Sequence, residues 1–363
     1  MSIYSPDKQK ITTPHDLMRA GLIWDGDFAA IEAISERYAI GLTQHILDLI
    51  NANPKSEGVR LQYVPQEAEL YTTPTELEDP IGDNAHSPVK GIVHRYPDRV
   101  LFKVVSGCPV YCRFCFRREM VGPSHAPVTK EERDKALDYI RANPEIWEVI
   151  LTGGDPLILS ERKIGALLDE LCAIEHVKVI RIHTRVPMAD PKRLTDDYLK
   201  ILKEKCTKPL YIVIHANHPN EFNDAVEQTI KNLHEIGANL LSQTALLHGV
   251  NDHAGILERL FRKLVTLNVK PYYLHHPDMA KGTSHFRLSL TDGMNIYRTL
   301  LGRISGLCHP AYVLDIPGGY GKTPINANYI VELKSGHYIV EDYFGRKHNY
   351  VDDLSDNAAR SDI

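Results

Sequence analysis

No stretch of this 363-residue sequence holds apolar residues together for the roughly 18 positions a membrane-spanning helix needs. The Met1 end runs into Lys and Asp without an apolar segment, so no secretory leader is expected. Neither charge sign dominates. The 42 Lys and Arg against 47 Asp and Glu leave a net charge of −5, which gives no general attraction for nucleic acid or an anionic membrane. Internal repeats and low-complexity tracts are also missing. Cysteine is scarce, with six in all. Three fall between positions 108 and 115, and Cys172, Cys206 and Cys308 are scattered, expected to serve as small buried apolar residues. That is no disulfide framework. It fits a reducing compartment, and the cytoplasm is the expected location.

What is present is a globular chain, 43% apolar, with a change of texture near Arg99. Before it, residues 1–90 read as a helical region and connection. Tyr38, Leu42, Ile46 and Leu49 predict a helix within Ser35–Ile50, and the Pro, Glu and Asp of 64–90 predict a surface connection. After it, six short apolar runs alternate with amphipathic segments. The runs are Val100–Val105, Val149–Thr152, Val177–Thr184, Leu210–His215, Asn239–Thr244 and Val269–His275. They are too continuous for half-exposed antiparallel strands, so a parallel α/β sheet is expected. Six units fall short of a closed eightfold barrel, which leaves an open, partial (βα)6 barrel over 91–290, or a doubly wound sheet. Residues 291–363 form a small C-terminal segment. Two strands are expected there, at Tyr329–Leu333 and Tyr338–Val340, and a frayed end from Asp352.

Directly after the first strand comes Ser106-Gly107-Cys108-Pro109-Val110-Tyr111-Cys112-Arg113-Phe114-Cys115. One tight loop can aim three thiolates at one centre, and soft thiolates select zinc or iron–sulfur. Structural zinc would want a fourth ligand, and none lies nearby in sequence. Three cysteines on a [4Fe–4S] cluster leave one iron free for a small molecule. The spacing resembles that of the radical S-adenosylmethionine (SAM) superfamily, which implies Cys108, Cys112 and Cys115 as cluster ligands and SAM on the open iron. Gly153-Gly154-Asp155 after the second strand reads as a turn by itself. It also resembles the superfamily's SAM-binding glycine segment.

Three more segments narrow the resemblance: His94-Arg95-Tyr96-Pro97-Asp98-Arg99, Tyr272-Tyr273-Leu274-His275-His276-Pro277-Asp278, and Asp315-Ile316-Pro317-Gly318-Gly319-Tyr320-Gly321-Lys322. With Cys112–Arg118 they are similar to the lysine 2,3-aminomutase family, from about residue 90 to 330. The resemblance implies that Lys322 carries pyridoxal 5′-phosphate (PLP), with Arg95 and Arg99 at its phosphate. It implies Arg117 at the substrate carboxylate and Asp278 and Asp315 at its side-chain ammonium, with His215 and Gln243 around SAM. Lysine is the implied substrate. Arginine, or a lysine isomerase serving elongation factor P, are the alternatives, and a non-catalytic iron–sulfur carrier is the reading from another class. A small-molecule substrate, an electron donor such as flavodoxin or ferredoxin, and possible homo-oligomers are the expected partners. The family's C-terminal zinc-binding cysteines have no counterpart after Cys308, so that zinc is not expected.

Overall fold

The computed structural model describes residues 10–122, 128–326 and 328–352. Nine strands form one sheet in chain order: β1 (Ile92–Tyr96), β2 (Arg99–Val105), β3 (Glu148–Gly153), β4 (Val179–Thr184), β5 (Leu210–His215), β6 (Asn239–Ala245), β7 (Lys270–His275), β8 (Ala311–Ile316) and β9 (Gly321–Pro324). From β2 to β8 every neighbouring pair is parallel. The edge strands β1 and β9 are antiparallel to their neighbours. The six expected βα units are all there, in a partial barrel.

Local chemistry explains the alternation. Residues 149–152 of β3 are all buried, as a strand covered on both faces requires. The helices begin on polar caps. Thr129, Thr195, Asn223 and Ser289 each accept a hydrogen bond from the backbone N–H three residues on, which satisfies a donor the first turn leaves open.

Several expectations needed correction. The Ser35–Ile50 pattern is two helices, Phe28–Arg37 and Gln44–Ala52, with Tyr38 extended between them. Leu42 pairs with Ile11 in a β-bridge, and Thr43 caps the second helix. Gly41 packs against Tyr111, where a Cβ would come within 2.7 Å of the ring. The helical spacing thus spans two elements that share one core. The strands β1, β8 and β9 lie in segments read only as motifs. Two of them are paired on one side alone, and their polar residues break the apolar pattern. Both β8 and β9 continue the barrel sheet, and Tyr297, Leu300, Tyr312 and Ile325 belong to its core. The tail holds three strands, β10 (Ile330–Lys334), β11 (His337–Glu341) and β12 (Lys347–Val351). The expected fraying beyond Asp352 lies outside the described residues.

The largest correction concerns 64–90. The stretch does run over the surface, with 70–75, 77 and 78 exposed, but it turns three carboxylates inward: Glu69, Glu76 and Asp83 are buried. Each is held by arginine. Arg113 and Arg118 meet Glu69, Arg287 meets Glu76 at 3.0 Å, and Arg117 meets Asp83 at 3.1 Å. A buried carboxylate is tolerated when it is paired and hydrogen-bonded. The N-terminal helices form a second core, which reaches the barrel through Val110 and Ala189.

Candidate active site

At the carboxyl ends of the barrel strands lies a cavity of about 410 Å³. Every residue singled out from the sequence lines it, from the three cysteines to Lys322. Parallel barrels carry their chemistry at this face because the loops there converge from several strands.

The cysteine loop leaves β2 and is clamped on both sides. Arg113 donates its backbone N–H to Gln62 and its guanidinium to Glu69 and the Ala39 carbonyl. Behind the loop, Arg185 donates to Tyr63, Gln62 and Glu221, with its guanidinium 5.3 Å from the Phe114 ring centroid. Glu221 in turn accepts the N–H groups of Asn217 and His218 at 2.7 and 2.8 Å. Burial pushes all three thiols up, Cys112 to about 11. Thiolates here therefore need a cation to hold them, which suits a metal cluster. Among the described residues no three His, Cys, Asp or Glu side chains converge to chelate a single ion.

The glycine segment packs against the cysteine loop as well as lining the cavity. Gly154 donates to the Val105 carbonyl at 2.6 Å, and Asp155 N–H to Gly107 at 2.9 Å. A Cβ on Gly154 would stand 1.9 Å from the Gly107 oxygen, and Gly153 has φ +116. Both positions therefore require glycine for backbone contact. Gly154→Ala is expected to displace the cysteine loop, lower the Tm, and cut iron per chain by more than half, read by iron and sulfide assay. Wild-type iron content at an unchanged Tm would contradict this packing argument.

Asp155 lines the cavity, but its carboxylate is engaged inside the protein. It accepts from Thr184 at 2.8 Å and from the N–H groups of Leu157, Arg185 and Val186. It ties the β3 and β4 loops together. His215 and Gln243 are register partners at the ends of β5 and β6. Burial holds His215 neutral, with its Nε2 3.2 Å from Asn217 Oδ1.

On the opposite wall, β8 and β9 form a hairpin in which Asp315 and Lys322 face each other. Lys322 Nζ donates to Asp315 Oδ1 at 2.8 Å, and Lys322 N–H donates to the Tyr96 hydroxyl at 2.9 Å. The turn is set by contact: a Cβ on Gly319 would meet His86 Nε2 at 2.6 Å, and its φ is +88. Burial by itself would raise the Asp315 carboxyl, but His275 and the Lys322 ammonium hold it well below the usual range. Asp278 behaves oppositely. Burial first, then the Asp315 charge, raises it to about 7.

A buried Asp83 organises the cationic side. It accepts from Arg117 Nε and Nη2 and from Arg95 Nη2 at 3.3 Å, with Lys103 Nζ at 4.0 Å. Arg95 Nε is buried without a hydrogen-bond partner. Such an orphaned donor beside a cavity suits an anion like the PLP phosphate. Arg99 lies over the Tyr96 ring at 4.1 Å and is one-third exposed. Sequence reasoning missed Asp83, Tyr96 and Arg185. Tyr96 stood inside a quoted motif; Asp83 and Arg185 carried no local signal.

A cluster-type cysteine loop, a glycine segment beside it and a partial barrel together define a radical SAM protein, and the family model "Radical SAM superfamily" matches residues 102–260. The chain is 40% identical over 323 residues to the L-lysine 2,3-aminomutase of Methanococcus maripaludis, covering 89% of this chain and 74% of that one. It is 38% identical to that of Clostridium subterminale, covering 84% and 73%. It is 33% identical to the glutamate 2,3-aminomutase of Clostridioides difficile, covering 87% and 74%. The chain belongs to the lysine 2,3-aminomutase family, radical SAM isomerases that also use PLP.

Proposed function

We propose that this enzyme moves the α-amino group of L-lysine from C2 to C3, giving β-lysine. The observation that carries the choice of substrate is the Lys322–Asp315 contact. A lysine ε-ammonium already sits on Asp315 Oδ1 at 2.8 Å, with Asp278 lining the same cavity. Lys322 would hold PLP, and the Asp315 carboxylate would then be open to a substrate ammonium of the same chemistry.

The bound groups supply a 5′-deoxyadenosyl radical and a carbonyl that captures amines. The chain's own residues bind and orient. Arg117 receives the substrate carboxylate: its Nε, Nη1 and Nη2 each make one protein hydrogen bond, and a guanidinium carries five N–H. Arg95 and Arg99 hold the phosphate. Cys108, Cys112 and Cys115 hold the cluster, and Gly153, Gly154, His215 and Gln243 border SAM. Arg113, Arg185 and Glu221 back the cysteine loop and fix its position. The reductant in this reading is a small carrier of the flavodoxin or ferredoxin type. The cytoplasm is the place of action, because the cluster needs a reducing compartment.

The test is kcat/KM for lysine, arginine, norleucine and glutamate on wild type, Asp278→Asn and Asp315→Asn. Each carboxylate contact is worth roughly 4 kcal/mol at an effective dielectric of about 20 and ~4 Å, before desolvation. A net ~2–3 kcal/mol still favours lysine over norleucine thirty- to more than a hundredfold. Each Asn variant raises the lysine KM strongly without improving glutamate. Wild type that turns over glutamate as well as lysine would sink the assignment; preference for arginine would mean a longer pocket.

The pH profile gives a second check. Asp278, at about 7 in the free site, must be ionised to take an ammonium. Below pH 7 binding releases a proton, so the lysine KM rises up to about tenfold per unit as pH falls. Uptake of the Lys322 ammonium by PLP would move this limb upward, because that cation lowers the Asp278 carboxyl, and Asp278→Asn removes the limb. A wild-type KM that stays level between pH 5.5 and 8.5 would contradict the role of Asp278.

A further inference from the structure

Reactive side chains also meet on the far side of the barrel. Cys172 ends the helix Glu161–Cys172, and Cys206 caps the helix Asp196–Lys205. In parallel βα units both helices run the same way, so their C-termini lie side by side. Gly165 permits close approach, since a Cβ there would stand 3.1 Å from Ile201 Cγ2. Asp169 and Lys205 pair across the helices at 2.9 Å. One step further on stand the two cysteines, Cys172 as the last residue of one helix and Cys206 just past the end of the other. Cys206 Sγ is 3.5 Å from the Lys208 carbonyl, and the Lys208 ammonium donates to the Ile174 and Val177 carbonyls. Cys206 packs against the barrel core as an apolar residue would, yet both cysteines are partly exposed and end neighbouring helices.

The geometry points to a redox-active dithiol, in which Cys172 and Cys206 react with a low-molecular-weight disulfide and close to a cross-link between the two helices. Cys172 is the attacking sulfur. Hydrogen bonds from Cys206 first, and from Thr207, hold its thiol below the ordinary range, while the same contact raises Cys206. The Cys172 thiolate displaces one thiolate from the small disulfide and forms a mixed disulfide. Cys206 then gives up its proton, attacks Cys172 Sγ and expels the second thiolate. Two protein thiols are oxidised, one disulfide is reduced to two thiols, and the Cys206 proton ends on a released thiolate. The pair precedes the amino ends of β4 and β5, each six residues long, or about 20 Å from the face that carries the cavity. Cross-linking here leaves the cluster site intact.

The test uses the cluster- and PLP-loaded enzyme, kept anaerobic and titrated with oxidised glutathione, then alkylated and peptide-mapped without reduction. The Cys172–Cys206 linked peptide is expected at least tenfold above any other linkage, with the cluster absorbance unchanged. Cys206→Ser should trap glutathione on Cys172. Cys172→Ser should leave Cys206 at least tenfold less modified. Adducts on both cysteines of the wild type without the cross-link would overturn the proposal. So would no reaction at either, or earlier linkage into Cys108, Cys112 or Cys115. The wild-type map decides even where a variant fails to fold.

Discussion

Cys112→Ala is expected to yield a folded chain that retains no stable cluster and forms no 5′-deoxyadenosine from SAM. In the proposed assignment three thiolates hold the cluster and one iron stays open, so no protein ligand is redundant. Cys112 is only partly buried at the edge of the N-terminal core, so losing its sulfur costs little in packing. The clamps from Arg113 to Glu69 and from Arg185 to Glu221 survive the change. Iron and sulfide per chain should fall from about four each toward zero, with SAM cleavage at background. Cys308→Ala, buried in the barrel core, should keep the iron and lose only some stability. Full iron content and SAM cleavage in Cys112→Ala would remove the cluster assignment altogether.

Lys322→Ala should abolish aminomutation, by ~10³-fold or more, while leaving the cluster spectrum in place. Lys322 lies across the β8–β9 hairpin from Asp315 and far along the chain from the cysteines, so the two halves of the site can fail separately. The loss has two sources that a second variant separates. Alanine removes both the covalent handle for PLP and the cation on Asp315. Lys322→Arg keeps a cation there and loses only the handle. If the role is covalent, both variants lose the visible chromophore of bound PLP and both are inactive. If Lys322 only balances the Asp315 charge, Lys322→Arg keeps much of the activity. Borohydride reduction and peptide mapping of wild type should place the pyridoxyl group on Lys322. An adduct on another lysine would refute the assignment.

Legibility differed by the range of the interaction. The six βα units and the three-cysteine loop could be read because strand burial, helix amphipathicity and ligand spacing are each set within a dozen residues. Asp278, Asp315 and Lys322 could be singled out through motif resemblance, and they line one cavity. Strands β1 and β9 could not be read as strands, because they are short edge strands broken by polar residues, of which Arg95 and Lys322 line the cavity. Asp155 looked like a ligand residue, yet its carboxylate is occupied by four donors from the β3 and β4 loops.

Composition and local pattern thus determined the fold class and the three-cysteine loop, and motif resemblance added the Gly-rich segment before Lys322. Tertiary structure alone decided which charged residues go inside. Glu69 reads like any acidic loop residue, but Arg113, 44 positions away, makes its burial tolerable. Asp83 depends in the same way on Arg117, 34 positions away. Cys172 and Cys206 become a pair only because two parallel helices end together. A carboxylate leaves water only where a cation from elsewhere in the chain meets it, and a thiol has a neighbour only where packing supplies one. Neither condition leaves a trace in the local sequence.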